Sequence, residues 1–328
     1  MVNRIHSYYS QKSVLVTGAG GFIGSVLVKK LNRLGAKVIA LDSKTDIRNK
    51  KIWTKWLSGI DILFHLAAQT SSNFSNQNPL LDAKINLLPI INLIDTCRRY
   101  HYSPDIIFSG TVTQVGLTKT YPVNESFKDE PITVYDINKL AAEKYLQFYS
   151  NLSEKRAVIL RLANVYGPGL GRRKKDRGVL NSFISEALQN KPITVYENWN
   201  YKRDYIFIDD VVEAFLAAGE KIDRLTGNYC IIGNEQGRTV NQAVNLIKRT
   251  INLKTGKKVI VRKIPAPKNL SPIEKRNFIA DSNFFKNKTN WKAKTNLIKG
   301  INKTIDYYLK IKDCHSVQAC LPTGRLKA

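Results

Sequence analysis

A glycine-spaced turn between a short apolar run and an amphipathic segment, close to the N-terminus, most constrains what this chain can become. Ser13-Val14-Leu15-Val16 reads as a short buried strand. Thr17-Gly18-Ala19-Gly20-Gly21-Phe22-Ile23-Gly24 follows, and then Val26, Leu27, Leu31 and Leu34 recur at helical spacing. Glycines at 18, 21 and 24 remove side chains where a backbone must come close to a ligand. The start of a helix offers free N–H groups and a partial positive charge to a phosphate. Strand, glycine turn and helix in this order form the setting of a dinucleotide fingerprint, here spaced G-x-x-G-x-x-G rather than the commoner G-x-G-x-x-G. A plain tight turn explains the glycines less well.

The next segments extend the pattern. Lys37-Val38-Ile39-Ala40-Leu41 reads as a second strand ending at Asp42, placed to accept hydrogen bonds from both ribose hydroxyls and to repel a 2′-phosphate. That favours NAD over NADP, although Lys44 and Arg48 nearby leave NADP open. A third strand, residues 60–66, runs into Ala67-Ala68-Gln69, where small residues let a cofactor lie close. A helix over 83–100 carries Asn86. A fourth strand, 105–108, opens onto the hydroxyls of Ser109, Thr111 and Thr113, and a helix over 135–150 precedes a strand at 157–162. Strands alternating with helices predict an α/β fold with a Rossmann-type, doubly wound parallel sheet. Beyond 170 the rhythm loosens, with helices expected near 179–189, 211–220, 238–253 and 297–312. Residues 1–170 are therefore expected to form the dinucleotide-binding domain, with 203–222 returning to it. Residues 171–312 are expected to form a smaller α+β substrate lobe, and 313–328 a loose tail.

One further spacing bears on chemistry. Tyr135 and Lys139 stand four apart on the 135–150 helix and so share a face. An ammonium ~4 Å from a phenol, at an effective dielectric of ~20, contributes about 4 kcal/mol, or roughly three pKa units at most. Such a shift would bring the phenol into range for acid–base work near neutral pH. An isolated Y-x-x-x-K is a weak signal, since an amphipathic helix with a lysine on its wet edge looks the same.

Composition limits the alternatives. The 328 residues, 43% hydrophobic, are enough for a large soluble core, and no apolar run reaches membrane-spanning length. The first strand comes too soon for a signal peptide, so a cytoplasmic protein is expected. The net charge of +26, from 52 Lys+Arg against 26 Asp+Glu, is unusual. It could attract nucleic acid or steer a small anion into a cleft. The lysines are scattered and no RNA-binding signature accompanies them, so a solvated basic surface is the favoured reading. The densest run, Arg172-Arg173-Lys174-Lys175-Asp176-Arg177, lies in a glycine-rich loop. Cys97, Cys230, Cys314 and Cys320 have the spacing of neither a zinc site nor a disulfide framework, and no metal is expected.

Six motifs in order give the chain a family resemblance: TGAGGFIG (17–24), HLAAQ (65–69), Y-x-x-x-K (135–139), RLANVYGPG (161–169), RDYIFIDDV (203–211) and FIADSNFFKNKTNWKAKTNLIKGI (278–301). Together they resemble the extended short-chain dehydrogenase/reductase family, in its nucleotide-sugar epimerase/dehydratase branch. The resemblance implies a bound NAD and a nucleoside-diphosphate sugar, with a UDP-sugar first among the candidates. It implies Tyr135 as the base, Lys139 as the residue that lowers its pKa and holds the nicotinamide ribose, and Thr111 as the hydroxyl bonded to the reacting oxygen. For the cofactor it implies Gly18, Gly21, Phe22, Ile23, Gly24, Asp42, Asp46, Ile47, Leu66, Ala67 and Ala68. For the substrate it implies Asn164 beside the diphosphate, Arg203 as its clamp and Arg276 as a second clamp. Asn86 aligns with a family Asn below the active site. A homodimer through the 83–100 and 135–150 helices is also implied.

The departures narrow the chemistry. The family's 4,6-dehydratases carry Asp-Glu after the catalytic Thr, where this chain has Val112-Thr113, so neither dehydration nor decarboxylation is expected. Val115 stands where the family usually has Tyr. The 42–60 segment is short, with Asp46-Ile47-Arg48-Asn49 arriving where another helix and strand usually intervene. Trp199-Asn200 replaces a glycine turn. An NAD-dependent C4 epimerase is the leading expectation. A 4-keto-sugar-nucleotide reductase using NAD(P)H is the alternative, and a non-catalytic RNA-binding member of the fold is a remote third.

Overall fold

The computed structural model describes residues 2–151, 155–169, 178–197, 199–268 and 270–319. Helix α1 (Val2–Tyr9) leads into strand β1 (Ser13–Thr17), and the glycine turn sends the chain into α2 (Phe22–Arg33). Then come β2 (Lys37–Leu41), α3 (Lys50–Trp56), β3 (Ile62–His65), α4 (Ser72–Gln77), α5 (Pro79–Asn86) and α6 (Leu88–Arg99). Strand β4 (Asp105–Thr111), helix α7 (Val134–Asn151) and β5 (Ala157–Leu162) complete the first half. The second half supplies β6 (Asn164–Tyr166), α8 (Val179–Leu188), β7 (Ile193–Tyr196), β8 (Lys202–Phe207), α9 (Ile208–Glu220) and β9 (Tyr229–Ile232). It ends with β10 (Gly237–Thr239), α10 (Val240–Thr255), β11 (Val261–Ile264), α11 (Asn283–Thr289) and α12 (Leu297–Ala319).

Six strands form one parallel sheet in the order β2-β1-β3-β4-β5-β9. Alternate residues point to opposite faces of a strand, and here both faces are covered. Val14, Val16, Phe64, Ile107 and Leu160 pack with Leu27 and Leu31 of α2 and with Val211 and Phe215 of α9. Leu15, Leu63, Phe108 and Ile159 meet Trp53 of α3, Leu93 of α6 and Leu146 of α7 on the other face. Strands buried on both sides read as unbroken apolar runs, which is why β1, β3 and β5 stood out in the sequence. The order reverses at β1, because β2 leaves to one side and β3 to the other. A ligand crevice therefore opens at the carboxyl ends of β1 and β3.

The second half builds a further core. A small sheet ordered β10-β8-β6 and the pair β11-β7 pack with α8, α10 and α12 around Phe183, Ile184, Phe207, Ile247 and Ile301. Ile23, Val26 and Val165 pack against both cores, so this lobe sits directly on the first. Helix α9 and strand β9 belong to the larger sheet.

The structure corrects several expectations. The helix expected over 83–100 is two helices meeting at Leu87, because Pro89 in the first turn of α6 has no N–H to continue the ladder. The final helix runs past 312 to Ala319, since no glycine or proline interrupts the chain between Ile301 and Leu321; residues 320–328 lie outside the described residues. The short 42–60 segment leaves β2 at the sheet edge. Helix α1 and strand β9 were not expected. Tyr9 on α1 is fully buried and donates to the Leu216 carbonyl at 2.8 Å, while Tyr8 donates to that of Gly219 at 2.8 Å. The basic run 172–177 lies outside the described residues.

Candidate active site

The glycine turn is a cradle with no room for side chains. Gly18 takes a φ of +68°, and a Cβ there would lie 2.7 Å from the Ala67 nitrogen; one on Gly24 would overlap the Gly18 carbonyl oxygen. Gly21 caps α2 with no side-chain hydrogen bond, so the first N–H groups of the helix, from Phe22 and Ile23 onward, face the crevice uncapped. Leu66 and Ala67 continue from β3 and are tied to Thr17, whose carbonyl accepts from the Leu66 N–H and whose hydroxyl accepts from the Ala67 N–H, both at 3.3 Å. Ala68 follows, half-buried. Asp42 directly follows β2 and accepts the Lys44 N–H at 2.8 Å. Asp46 is exposed and forked by Arg48 at 2.7 Å on both oxygens, which holds its carboxyl below the usual range. Ile47 is pinned through its carbonyl by the buried Trp53 indole at 3.0 Å. The short connection is thus anchored beside the edge strand.

The catalytic candidates converge where β4 meets α7. Thr111 ends β4, and its hydroxyl acts on Tyr135 so as to favour the ionised phenol. Tyr135 and Lys139 occupy the first turns of α7, whose start is fixed by Thr133: its hydroxyl accepts the Asp136 N–H at 3.2 Å and donates to the Asp136 carboxylate at 2.6 Å. This reciprocal cap aims the Tyr135–Lys139 face inward. Lys139 is buried, with its ammonium nitrogen 3.9 Å from the centroid of the Phe108 ring. Burial brings its pKa down to about 7, while Glu143 and Asp82 pull it upward. His65 beneath it is neutral, its pKa pushed down to about 3 by burial and by Lys139.

One expectation about electrostatics is overturned. Lys139 was expected to lower the Tyr135 pKa, yet without ligand the phenol is pushed well above its ordinary range. Burial is the main cause, Asp136 and Asp82 add to it, and only the Thr111 hydroxyl opposes it. The ligand-free site therefore holds a protonated phenol.

Sequence reasoning missed the buried polar residues around this face. Asp82 is fully buried; its Oδ1 accepts from Gln69 at 2.7 Å and Asn86 at 3.0 Å, and its Oδ2 accepts from Asn138 at 2.8 Å. Asn86 also exchanges hydrogen bonds with the Gln69 backbone at 3.0 and 3.1 Å, tying α5 to the loop after β3. Asp136 was likewise missed, although Thr133-Val134-Tyr135-Asp136 carries a capping signature that marks where α7 begins.

A second polar cluster comes from the small sheet. Pairing of β6 with β8, and of β8 with β10, sets Asn164 and Arg203 on neighbouring strands. Arg203 is buried and donates to the carbonyls of Arg276 and, at 2.6 Å, Glu274. Arg276 is also buried; it donates to the Ile273 carbonyl at 3.0 Å and to Asn164 Oδ1 at 3.4 Å, and its Nε has no partner. Its pKa falls to about 10, from burial first and the neighbouring Arg203 second. Among the described residues, the half-exposed Glu274 lies 3.6 Å from Arg203, and Asp136 also acts on Arg276 from a distance. A pair of buried guanidiniums suits an anion with several oxygens.

Residues 14–233, more than half of the chain, match the NAD dependent epimerase/dehydratase family. The chain belongs to that family. A UDP-glucose 4-epimerase of Mycolicibacterium smegmatis is 31% identical over 227 residues, 62% of this chain and 72% of that protein. UDP-glucuronate 4-epimerase 1 of Arabidopsis thaliana is 27% identical, over 90% of this chain and 76% of its own length. Among solved structures, the UDP-glucose 4-epimerase of Thermotoga maritima with UDP-glucose superposes with a TM-score of 0.81 at 30% identity, covering 92% of this chain and 99% of that one. The Thermus thermophilus UDP-glucose 4-epimerase with NAD gives 0.77 at 26% identity, covering 90% and 99%.

For a member of this NAD-dependent epimerase/dehydratase family, the cradle fits the cofactor. The uncapped start of α2 suits a pyrophosphate, the missing side chains at 18, 21 and 24 make room for it, and the Asp42 carboxylate at the end of β2 suits ribose hydroxyls. Metal-ligating clusters of three or more His, Cys, Asp or Glu are absent among the described residues.

Proposed function

We propose that this chain is an NAD-dependent epimerase of a nucleoside-diphosphate sugar, inverting C4 through a transient keto sugar, with a UDP-sugar as substrate. One observation carries the reading. The reading is supported by Thr111, Tyr135 and Lys139 meeting where β4 reaches α7, beside the buried guanidiniums of Arg203 and Arg276, the latter acting electrostatically on Asp136 next to Tyr135. An acid–base centre beside an anchor for a diphosphate is what a sugar nucleotide requires. The relatedness to 4-epimerases supports the same reading.

In this reading the nicotinamide supplies the hydride acceptor and donor. Gly18, Gly21, Phe22, Ile23 and Gly24 hold the pyrophosphate, Asp42 the ribose, Asp46 and Ile47 the adenine end, and Leu66, Ala67 and Ala68 the dinucleotide's length. Tyr135 takes and returns the sugar hydroxyl proton, Thr111 orients the same oxygen, and Lys139 orients the nicotinamide ribose. Asn164, Arg203 and Arg276 hold the diphosphate, so the sugar can turn while its anchor stays fixed. The same residues would serve a keto-sugar reductase. Purified protein should interconvert a UDP-sugar and its C4 epimer without added NADH, monitored by NMR of the sugar anomeric signals. An absolute need for stoichiometric reductant would instead establish the reductase.

We also propose a homodimer. Leu80 of α5 and Ile137, Tyr145 and Phe148 of α7 are exposed apolar residues on helices packed side by side, supporting a helical interface. Sedimentation at micromolar concentration checks it, with a monomer as the contrary result. A cytoplasmic site of action is proposed as well, supported by the buried free thiols of Cys97 and Cys230.

A further inference from the structure

A carboxylate taken wholly out of water is costly unless donors fill its oxygens. Asp82, in the first turn of α5, is such a group, and its partners are side-chain amides rather than a cation. Each amide NH2 has two protons to give. Gln69 gives one to Asp82 Oδ1 at 2.7 Å and the other to the Ser71 carbonyl at 3.1 Å. Asn86 gives one to the same Oδ1 at 3.0 Å and the other to the Gln69 carbonyl at 3.0 Å. Oδ2 accepts from Asn138 at 2.8 Å. The two oxygens thus serve different elements. Oδ1 holds Gln69, which follows Ala67 and Ala68, and Oδ2 holds Asn138, which precedes Lys139 on α7. A second tie runs the same way. Helix α4, which follows the Gln69 turn, offers Asn76 Oδ1 to the Val134 N–H at 3.0 Å and Ser75 Oγ to the Tyr135 N–H at 3.1 Å. The free N–H groups at the start of α7 are therefore filled from the segment after β3.

We infer that Asp82 is a positioning residue, whose carboxylate fixes the register of the Tyr135–Lys139 helix against the segment that lines the dinucleotide. The inference rests on the epimerase reading, in which Tyr135 meets a sugar hydroxyl while the nicotinamide meets the carbon that bears it. Proton and hydride leave neighbouring atoms of one sugar, so the helix and the cofactor segment must keep a fixed separation. Asp82 acts on that separation through Asn138 and Gln69, not on the substrate itself. A carboxylate can serve both sides at once because it only accepts, and the three groups bonded to it here all donate. An asparagine in its place would present a donor to one side, met by an acceptor once Asn138 turned its amide over. An alanine would leave three buried donors without their acceptor. The charge of Asp82 bears on both catalytic groups as well, raising the proton affinity of Lys139 and of Tyr135.

Asn138→Ala cuts one arm of the link and keeps a residue that favours helix, so the protein should fold. Its kcat should fall between about 10- and 10²-fold, with KM for the UDP-sugar little changed because Arg203 and Arg276 are untouched. Asp82→Ala should lose about 10²-fold. The double variant should lose no more than Asp82→Ala alone, since both changes break the same bond. Asp82→Asn should recover most of the rate by keeping the hydrogen bonds. Melting temperatures measured alongside separate positioning from packing, which would lower the melting point and leave kcat, measured well below it, at the wild-type value. Hydrogen exchange reads the link without substrate: residues 66–77 and the first turns of α7 should exchange faster in Asn138→Ala than in the wild type. Wild-type kcat in Asn138→Ala, additive losses in the double variant, an Asp82→Asn no better than Asp82→Ala, or unchanged exchange would each overturn the inference and leave the epimerase reading standing. A wild-type protein inactive on every sugar nucleotide tried overturns that reading instead.

Discussion

Tyr135 and His65 show how burial decides what a titratable side chain can do. In the ligand-free protein the phenol is protonated, so its removal should spare binding and abolish chemistry. Tyr135→Phe is expected to lose between about 10² and 10⁴ in kcat while retaining NAD, checked by assay alongside quantification of bound nucleotide. His65 stacks at 5.8 Å on Phe108 and shares a proton with the Thr17 hydroxyl at 3.2 Å. Its folded pKa of about 3 lies below the ordinary 6.5, so the unfolded chain binds the extra proton first as pH falls. The neutral ring's contribution is therefore complete above about pH 6.5 and is lost progressively down to about pH 3. Urea unfolding across that window should show the slope, and His65→Gln should flatten it. At this scale the sequence was only partly legible. Tyr135 and Lys139 could be found by their spacing, and Thr111 and Thr113 by their place at the end of a strand, whereas Asp82 and Asp136 are polar residues whose burial is created by contacts between distant segments.

Among the elements, the β1–turn–α2 unit was the most legible, because glycine spacing and a doubly buried strand leave little choice of local structure. Gly24 tests that unit. A methyl group there would run into the Gly18 carbonyl, a backbone atom that cannot move aside without reshaping the turn. Gly24→Ala should purify with little or no NAD and melt at lower temperature, measured by mass spectrometry of the released nucleotide and by calorimetry. Normal cofactor content would mean that the turn yields more easily than its geometry indicates. The less legible elements have plain causes. Strand β9 is four residues, too short to show a period, and its partner β5 lies far away in sequence. Helix α1 buries Ile5 and Tyr9 only because α9 arrives to cover them.

For the whole molecule, a net charge of +26 accompanies a site proposed to take a diphosphate. Such a field should speed the approach of an anionic substrate, so kcat/KM is expected to fall as salt rises, with kcat unchanged. Because the lysines are scattered, the fall should stay below about 10-fold between low and physiological ionic strength. A flat profile in stopped-flow or steady-state measurements would assign the lysines to solubility alone. The sheet carries a different consequence, in time rather than space. A ribosome delivers β1 to β5 long before α9 and β9, so the nascent chain must wait with one sheet face covered only in part, by α2, and the β5 edge unpaired. Until residue 232 has left the exit tunnel, the half-made sheet is a sticky intermediate that a chaperone has reason to hold.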